Sequence, residues 1–391
     1  MKKFLLSDIF ITEPRSARTK QDPSYAAARR RPVITNPILA SAKMNLQPRS
    51  ARITARPVSS TPYRILDAPG VLDDYYLNIL DWNQSPNHDC LAIALDSSVY
   101  LYTPATKSVH ELSTVHGKYI CSVSFKEEKL AVGISDGKME LYDITRIAPL
   151  GMRQIDDTRV TTVSWNGNVI SAGTRSGRII NIDIRMKEKI GVFIASGMSS
   201  RTDEDGIVSK FHSAHTDEVC GLKWSPDGKY LASGGNDNLV KIWQLGNTSP
   251  RCILEGHQSA VKALAWCPWR TGILATGGGT RDKTIKFWDA CSGQLERSTD
   301  VTSQVCSLNF SPRYKELISG HGYSENNLIL WKVATMKQVS VFGKHESRVL
   351  STAISGDGRS VASISGDENL KFWRILEEEK NVQKRNSINF R

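Results

Sequence analysis

The sequence contains no apolar run near the ~20 residues that a membrane-spanning helix needs. Its opening stretch "MKKFLLSDIF" sets two lysines before an apolar run, but Ser7 and Asp8 end that run too early for a secretory signal core. No two of its seven cysteines (90, 121, 220, 252, 267, 291 and 306) stand as Cys-x-x-Cys, and their number is odd. That pattern argues against a disulfide frame or a zinc site and reads as buried thiols in a soluble intracellular protein. A phosphate-cradling loop is missing too: "GGGT" (277–280) lies between strand patterns with no helix after it. No metal, cofactor or catalytic constellation is expected, so the chain reads as a binding protein and not an enzyme.

Acidic residues are scarce at the start. The first 64 positions hold 13 Lys/Arg against three acids, Asp8, Glu13 and Asp22, whereas the remainder adds only +1 to the net charge of +11. This stretch is rich in Pro, Ser, Ala and Arg and repeats "PRSAR" at 14–18 and 48–52. With few aromatics it cannot bury enough surface to fold alone. Residues 1–60 are therefore expected to form a disordered basic arm. Arginine runs such as Arg29-Arg30-Arg31 could serve phosphates, so nucleic-acid binding is a rival use, but the arm lacks aromatics for base stacking.

What is plentiful is strand pattern. Beyond residue 75, short apolar stretches alternate with Gly, Asp, Asn and Ser turns, and one strand recurs: "SVYLYTP", "KMELYDI", "RIINIDI", "LVKIWQL", "TIKFWDA", "LILWKVA" and "NLKFWRI". Its marks are Tyr102, Tyr142, Ile182, Trp243, Trp288, Trp331 and Trp373, spaced 40, 40, 61, 45, 43 and 42 residues apart. A period of ~40–45 residues with this strand matches the WD repeat, one four-stranded blade per period. The fold class expected is all-β, a seven-bladed propeller over 61–376, with an exposed insertion at 196–210 and a short tail at 377–391. The marked strand is third in each blade, so the last blade lacks a fourth strand. "PYRILDAP" (62–69) is expected to fill it, pairing residues 63–68 with 370–375 and closing the ring.

Blades 4, 5 and 7 share four side chains. They are His215, Ser233, Asp237 and Trp243; His257, Thr276, Asp282 and Trp288; and His345, Ser363, Asp367 and Trp373. A His–hydroxyl–Asp set invites a hydrolase reading, but catalysis needs one site in one cleft, not three copies. The set reads as a buried hydrogen-bond chain that pins the turn between the second and third strands. With Asp237 pointing inward, its neighbours Asn236 and Asn238 turn toward the rim, either as turn formers or as contacts.

Several stretches together, "LDAPGVLDDYYLNILDWN" (66–83), "EVCGLKWSPDGKYLASGGNDNLVKIW" (218–243), "AVKALAWCPW" (260–269), "ILATGGGTRDKTIKFWD" (273–289), "SQVCSLNFSPRYKELISGHGYSENNLILWK" (303–332) and "SRVLS" (347–351), closely resemble the Fizzy and Fizzy-related family, nearer the Fizzy branch. Its members are substrate-recognising activators of the anaphase-promoting complex, a ubiquitin ligase. The resemblance implies nuclear and cytoplasmic work in mitosis or meiosis. It implies ligase subunits, checkpoint proteins and degron-bearing substrates such as cyclins and securin-like proteins as partners.

The resemblance further implies a rim site for a Lys-Glu-Asn degron at Asp81, Asn236, Asn238, Thr280, Gln304 and Arg348. It implies a destruction-box (Arg-x-x-Leu) site with Asp74 and Glu368 around the degron arginine and Tyr75, Tyr76 and Leu77 around its leucine. Ligase contacts are implied for a degenerate box in "DIFITEPR", at Asp8, Phe10, Ile11 and Arg15, and for the terminal pair Phe390 and Arg391. The box departs from the family form, with Ile9 for its first arginine and one extra residue before Arg15.

Overall fold

The computed structural model describes residues 58–185, 190–193, 214–244, 247 and 249–375. They form 28 strands in seven four-stranded antiparallel sheets, the seven-bladed propeller expected from the repeat. Blade 1 is β2 (Leu80–Trp82), β3 (Leu91–Leu95), β4 (Ser98–Thr103) and β5 (Ser108–Thr114). Blade 2 is β6 (Ile120–Lys126), β7 (Lys129–Ile134), β8 (Lys138–Asp143) and β9 (Ala148–Gln154). Blade 3 is β10 (Val160–Asn166), β11 (Val169–Thr174), β12 (Ile179–Asp183) and β13 (Ile190–Phe193). Blade 4 is β14 (Val219–Trp224), β15 (Tyr230–Gly235), β16 (Val240–Gln244) and β17 (Cys252–Leu254). Blade 5 is β18 (Val261–Trp266), β19 (Ile273–Gly278), β20 (Thr284–Asp289) and β21 (Gln294–Asp300). Blade 6 is β22 (Val305–Ser311), β23 (Glu316–His321), β24 (Leu328–Lys332) and β25 (Lys337–Phe342).

Blade 7 is β26 (Val349–Ile354), β27 (Ser360–Ser365) and β28 (Asn369–Arg374), and its fourth strand is β1 (Arg64–Asp67). The register runs Arg64↔Phe372 to Asp67↔Asn369. The start of the propeller thus supplies the backbone partner that its end lacks, removing an open edge. Asp67 is left exposed at the end of the pairing next to Glu368, and the Ala68 amide donates to the Glu368 carbonyl at 2.7 Å.

Each blade is apolar on both faces of its inner strands because neighbouring blades pack there. The Leu231, Ala232, Ile242 and Trp243 side chains are all buried. Close approach needs small residues: a Cβ added at Gly234 would stand 2.2 Å from the Val261 carbonyl oxygen of the next blade. Outer strands pack on one side only, so β21 is exposed along most of its length.

Between β1 and β2 the chain crosses the axial channel. The Tyr75 hydroxyl donates to the Val305 carbonyl (3.3 Å), and Asn78 Nδ2 donates to the Thr161 (2.9 Å) and Cys220 (3.1 Å) carbonyls. Lys262 Nζ donates to the carbonyls of Leu77 (2.7 Å) and Leu350 (2.8 Å). Burial pushes the Lys262 ammonium down to about 8. Residues 75–78 therefore tie blades 3 to 6 together at the axis, and Lys262 extends the tie to blade 7. A cavity of about 230 Å³ lies beneath, lined by Asn78, Asp81, Lys223, Lys262, Asn309 and Thr352 among others.

Candidate peptide-binding face

In an up-and-down blade, the turns between second and third strands share one face with the links from each blade to the next. That face carries the polar chains. In blade 4, the Trp243 indole donates to Ser233 Oγ (2.8 Å), Ser233 meets His215 Nε2 (2.7 Å), and His215 Nδ1 meets both Asp237 carboxylate oxygens at 3.0 Å. Blade 5 repeats this with Trp288, Thr276, His257 and Asp282, and blade 7 with Trp373, Ser363, His345 and Asp367. Burial lowers the pKa of His215 and outweighs the Asp237 partner that raises it. Burial also opposes ionisation of Asp237, but the His215 hydrogen bond and the Leu239 and Thr216 amides prevail and hold its carboxyl below the ordinary value. A neutral histidine donating from Nδ1 to a carboxylate, and accepting from serine at Nε2, satisfies every member of the chain.

Asn238 follows Asp237 with φ 66°, a left-handed turn that asparagine tolerates well. Its equivalent in blade 7 is Glu368, at φ 58°. Asn236 lies on the other side of Asp237, half-buried. Its Oδ1 accepts from the Tyr76 hydroxyl (3.0 Å) and its Nδ2 donates to Asp217 (2.7 Å). Thr280 is exposed in the corresponding turn of blade 5, and Arg348 is half-buried just before β26. Gln304 is buried just before β22, its carbonyl accepting from the Gly322 amide. Asn236, Asn238, Thr280, Gln304 and Arg348 thus share one face, on blades 4 to 7.

Asp81 does not join them. It lies within β2, where its Oδ2 accepts from the Phe125 amide (2.8 Å) and Oδ1 from the Trp82 amide (3.1 Å). It lines a pocket with Gln84, Lys126 and Glu127, by the turns of the opposite face, and burial raises its carboxyl pKa. Of Asp74 and Glu368, implied around a degron arginine, Glu368 accepts at Oε1 from the Gly70 amide at 3.1 Å. Asp74 turns away, to Arg159 Nη1 at 2.7 Å, and Arg159 also takes Glu218 at 2.7 Å. Tyr75 and Leu77 are buried in the axial crossing and leave no surface for a leucine. Tyr76 is half-buried beside Asn236, not beside blade 7. Asp8, Phe10, Ile11, Arg15, Phe390, Arg391 and the insertion at 196–210 lie outside the described residues.

The CDC20/Fizzy WD40 domain profile matches residues 66–373. The chain belongs to that family. It is 41% identical to the WD repeat-containing protein slp1 of Schizosaccharomyces pombe over 329 residues, 82% of this chain and 63% of that protein. It is 40% identical to the anaphase-promoting complex subunit cdc20 of Dictyostelium discoideum over 331 residues, 83% of this chain and 62% of that one. Cell division cycle 20.1, cofactor of APC complex, of Arabidopsis thaliana is 40% identical over 356 residues, 88% of this chain and 73% of its own length. A chain in a crystal structure of a mitotic checkpoint complex superposes with a TM-score of 0.75 at 38% identity, covering 87% of this chain and 99% of that one. The chain therefore spans less than two thirds of the first two relatives.

Within this CDC20/Fizzy domain, the geometry singles out four further residues. Asp217 is exposed beside Asn236, Asp73 grips Arg348, Tyr323 stacks beside that arginine, and exposed Asp67 borders Glu368. The register of the closing strand, once drawn, would have pointed to Asp67. The other three depend on how loops fold over the rim, and no spacing announces them.

Proposed function

We propose that this chain is a non-enzymatic substrate adaptor of the anaphase-promoting complex that binds degron peptides on the tetrad face of its propeller. The observation that carries the reading is the split within "NDN": Asp237 is spent inside the blade, while Asn236, beside Asp217, and Asn238 stand outside it, on the face that also presents Arg348 and Thr280. An acid for lysine, an arginine for glutamate, and amides with a hydroxyl for asparagine and backbone suit a Lys-Glu-Asn peptide. The acidic role expected of Asp81 passes to exposed Asp217, beside Asn236. For an Arg-x-x-Leu peptide, the guanidinium would meet Glu368 with Asp67, both exposed where β1 pairs with β28, while Asp74 is occupied by Arg159. Relatives named as subunits or cofactors of that complex support the partner.

The test is a titration of the full chain with fluorescent Lys-Glu-Asn and Arg-x-x-Leu peptides against alanine-substituted controls. Asn236→Ala with Asn238→Gly should abolish binding of the first peptide alone; glycine suits the left-handed turn at 238. Asp67→Lys with Glu368→Lys should abolish binding of the second alone. Equal binding of peptides and controls by folded protein would sink the adaptor reading.

A further inference from the structure

Arg348 is held by one edge. Its Nε donates to Asp73 Oδ1 at 2.5 Å, and Nη2 donates to the Asp73 backbone carbonyl. The guanidinium also lies over the Tyr323 ring, 5.8 Å from Cζ to the ring centroid, and the Tyr323 hydroxyl is 3.1 Å from Ser347 Oγ. Asp73 can come this close because the residue beneath it is glycine: a Cβ at Gly366 would stand 2.9 Å from the Asp73 carboxyl carbon. A guanidinium has five N–H donors in a fixed plane. Two are taken along the Nε–Nη2 edge, the ring beneath fixes the plane, and Nη1 has no partner among the described residues. The Nη1–Nη2 edge is left without an acidic partner among the described residues, in the arrangement that receives a carboxylate with two parallel hydrogen bonds.

We propose that Asp73 and Tyr323 are positioning residues that clamp Arg348 so that its outer edge binds the carboxylate of an acidic peptide residue. The inference rests on the degron-binding reading and deepens it, since the residue so recognised is the glutamate of Lys-Glu-Asn. Asp73 has two opposed effects. Its oxygens orient the guanidinium, and its charge offsets part of the attraction for a second carboxylate. Different substitutions separate these effects. Asp73→Asn keeps a side-chain acceptor for Nε and removes the charge. Asp73→Ala removes both and leaves Nε without its acceptor, with only the backbone carbonyl still holding Nη2.

The experiment measures Kd for the full chain with a Lys-Glu-Asn peptide and its Lys-Gln-Asn counterpart, and records the Arg348 Nε–H resonance of the unliganded protein by NMR, assigned with Arg348→Lys. Preference for glutamate over glutamine should rise about threefold in Asp73→Asn and fall about fivefold in Asp73→Ala and in Tyr323→Ala. The Nε–H should exchange slowly in the parent and in Asp73→Asn, and rapidly in Asp73→Ala. An identical preference in Asp73→Asn and Asp73→Ala would overturn the clamp and leave a simple competing charge. A rapidly exchanging Nε–H in the parent would overturn it whether or not the peptide binds. Slow exchange with no peptide binding would instead count against the degron reading and leave the clamp standing.

Discussion

Blades 4, 5 and 7 and blade 6 solve the same problem with different parts. In the first three, histidine stands four residues before the first strand (His215, His257 and His345 ahead of Val219, Val261 and Val349), and an aspartate in the turn receives its Nδ1. In blade 6 that upstream position is Val301, which is buried, and the histidine is His321, at the end of the second strand where blade 4 has Gly235. His321 Nε2 still reaches Ser319 Oγ (2.6 Å), and the Trp331 indole still donates to Ser319 (2.7 Å). Glu325, two residues further from the third strand than Asn327, takes the place of the aspartate but is exposed, and His321 Nδ1 has no hydrogen-bond partner among the described residues. The serine–tryptophan pair is common to both solutions. Histidine can reach that pair from two chain positions, but only the upstream one also meets the turn acid.

The largest test of this comparison removes the shared anchor. Trp243 is completely buried, and Trp243→Ala should cost about 3–5 kcal/mol, read from the denaturant midpoint, by leaving a cavity and removing the indole donor to Ser233 Oγ. A loss under about 1 kcal/mol would mean the tetrad does not hold the blade together.

Acid should separate the two solutions next. Burial pushes His321 down to about 4, against an ordinary 6.5. The unfolded chain then binds the proton more readily, so this contribution is whole above pH 6.5 and is lost as pH falls toward 4. It amounts to about 3 kcal/mol over that window. His321→Gln should flatten the stability curve between pH 6.5 and 4, whereas the same change at His215, whose aspartate opposes the effect of burial, should flatten it less. Equal flattening at both positions would remove the distinction.

Blade 7 can also be turned into a version of blade 6. Asp367→Ala strips His345 Nδ1 and the Glu346 amide of their acceptor and should cost about 2 kcal/mol. Burial already lowers the pKa of His345, with Asp367 opposing it, so the variant's histidine should titrate lower still by NMR. An unchanged titration would show that the aspartate does not set the histidine's state.

Much of this was open to reading in the chain itself. The seven marked strands, the missing fourth strand and the three tetrads follow from spacing, because each blade must bury the same residues at the same depth. The blade 6 variant escaped because "HGY" at the end of β23 carries its histidine at a position where blades 4, 5 and 7 have Gly235, Gly278 and Ser365. Asp73 and the partner of Asp74 escaped for another reason. Asp73 and Asp74 are adjacent, yet one faces Arg348 on blade 7 and the other Arg159 on blade 3. Neighbouring side chains of an extended segment diverge, and which goes which way is fixed by how the crossing lies over the channel. The resemblance implies Asp81 at the rim, whereas the structure sets it within β2 with its carboxylate held by the Phe125 and Trp82 amides.

The smallest expected effect sharpens the boundary between scaffold and surface within three residues. Asn236 shares its turn with Asp237, but its partners, Tyr76 and Asp217, are at the surface and can bind water instead. Asn236→Ala should therefore change stability by no more than about 0.5 kcal/mol, as should Thr280→Ala in blade 5. Asp237→Ala, one position away, should cost several times more, because His215 and two backbone amides lose a buried acceptor. If denaturant midpoints for Asn236→Ala and Asp237→Ala coincide, the turn is one structural unit and its outer asparagines are turn formers. If they separate by 1 kcal/mol or more, with peptide binding lost only in Asn236→Ala among the fully folded variants, the same turn is structural on its inner side and a contact surface on its outer side.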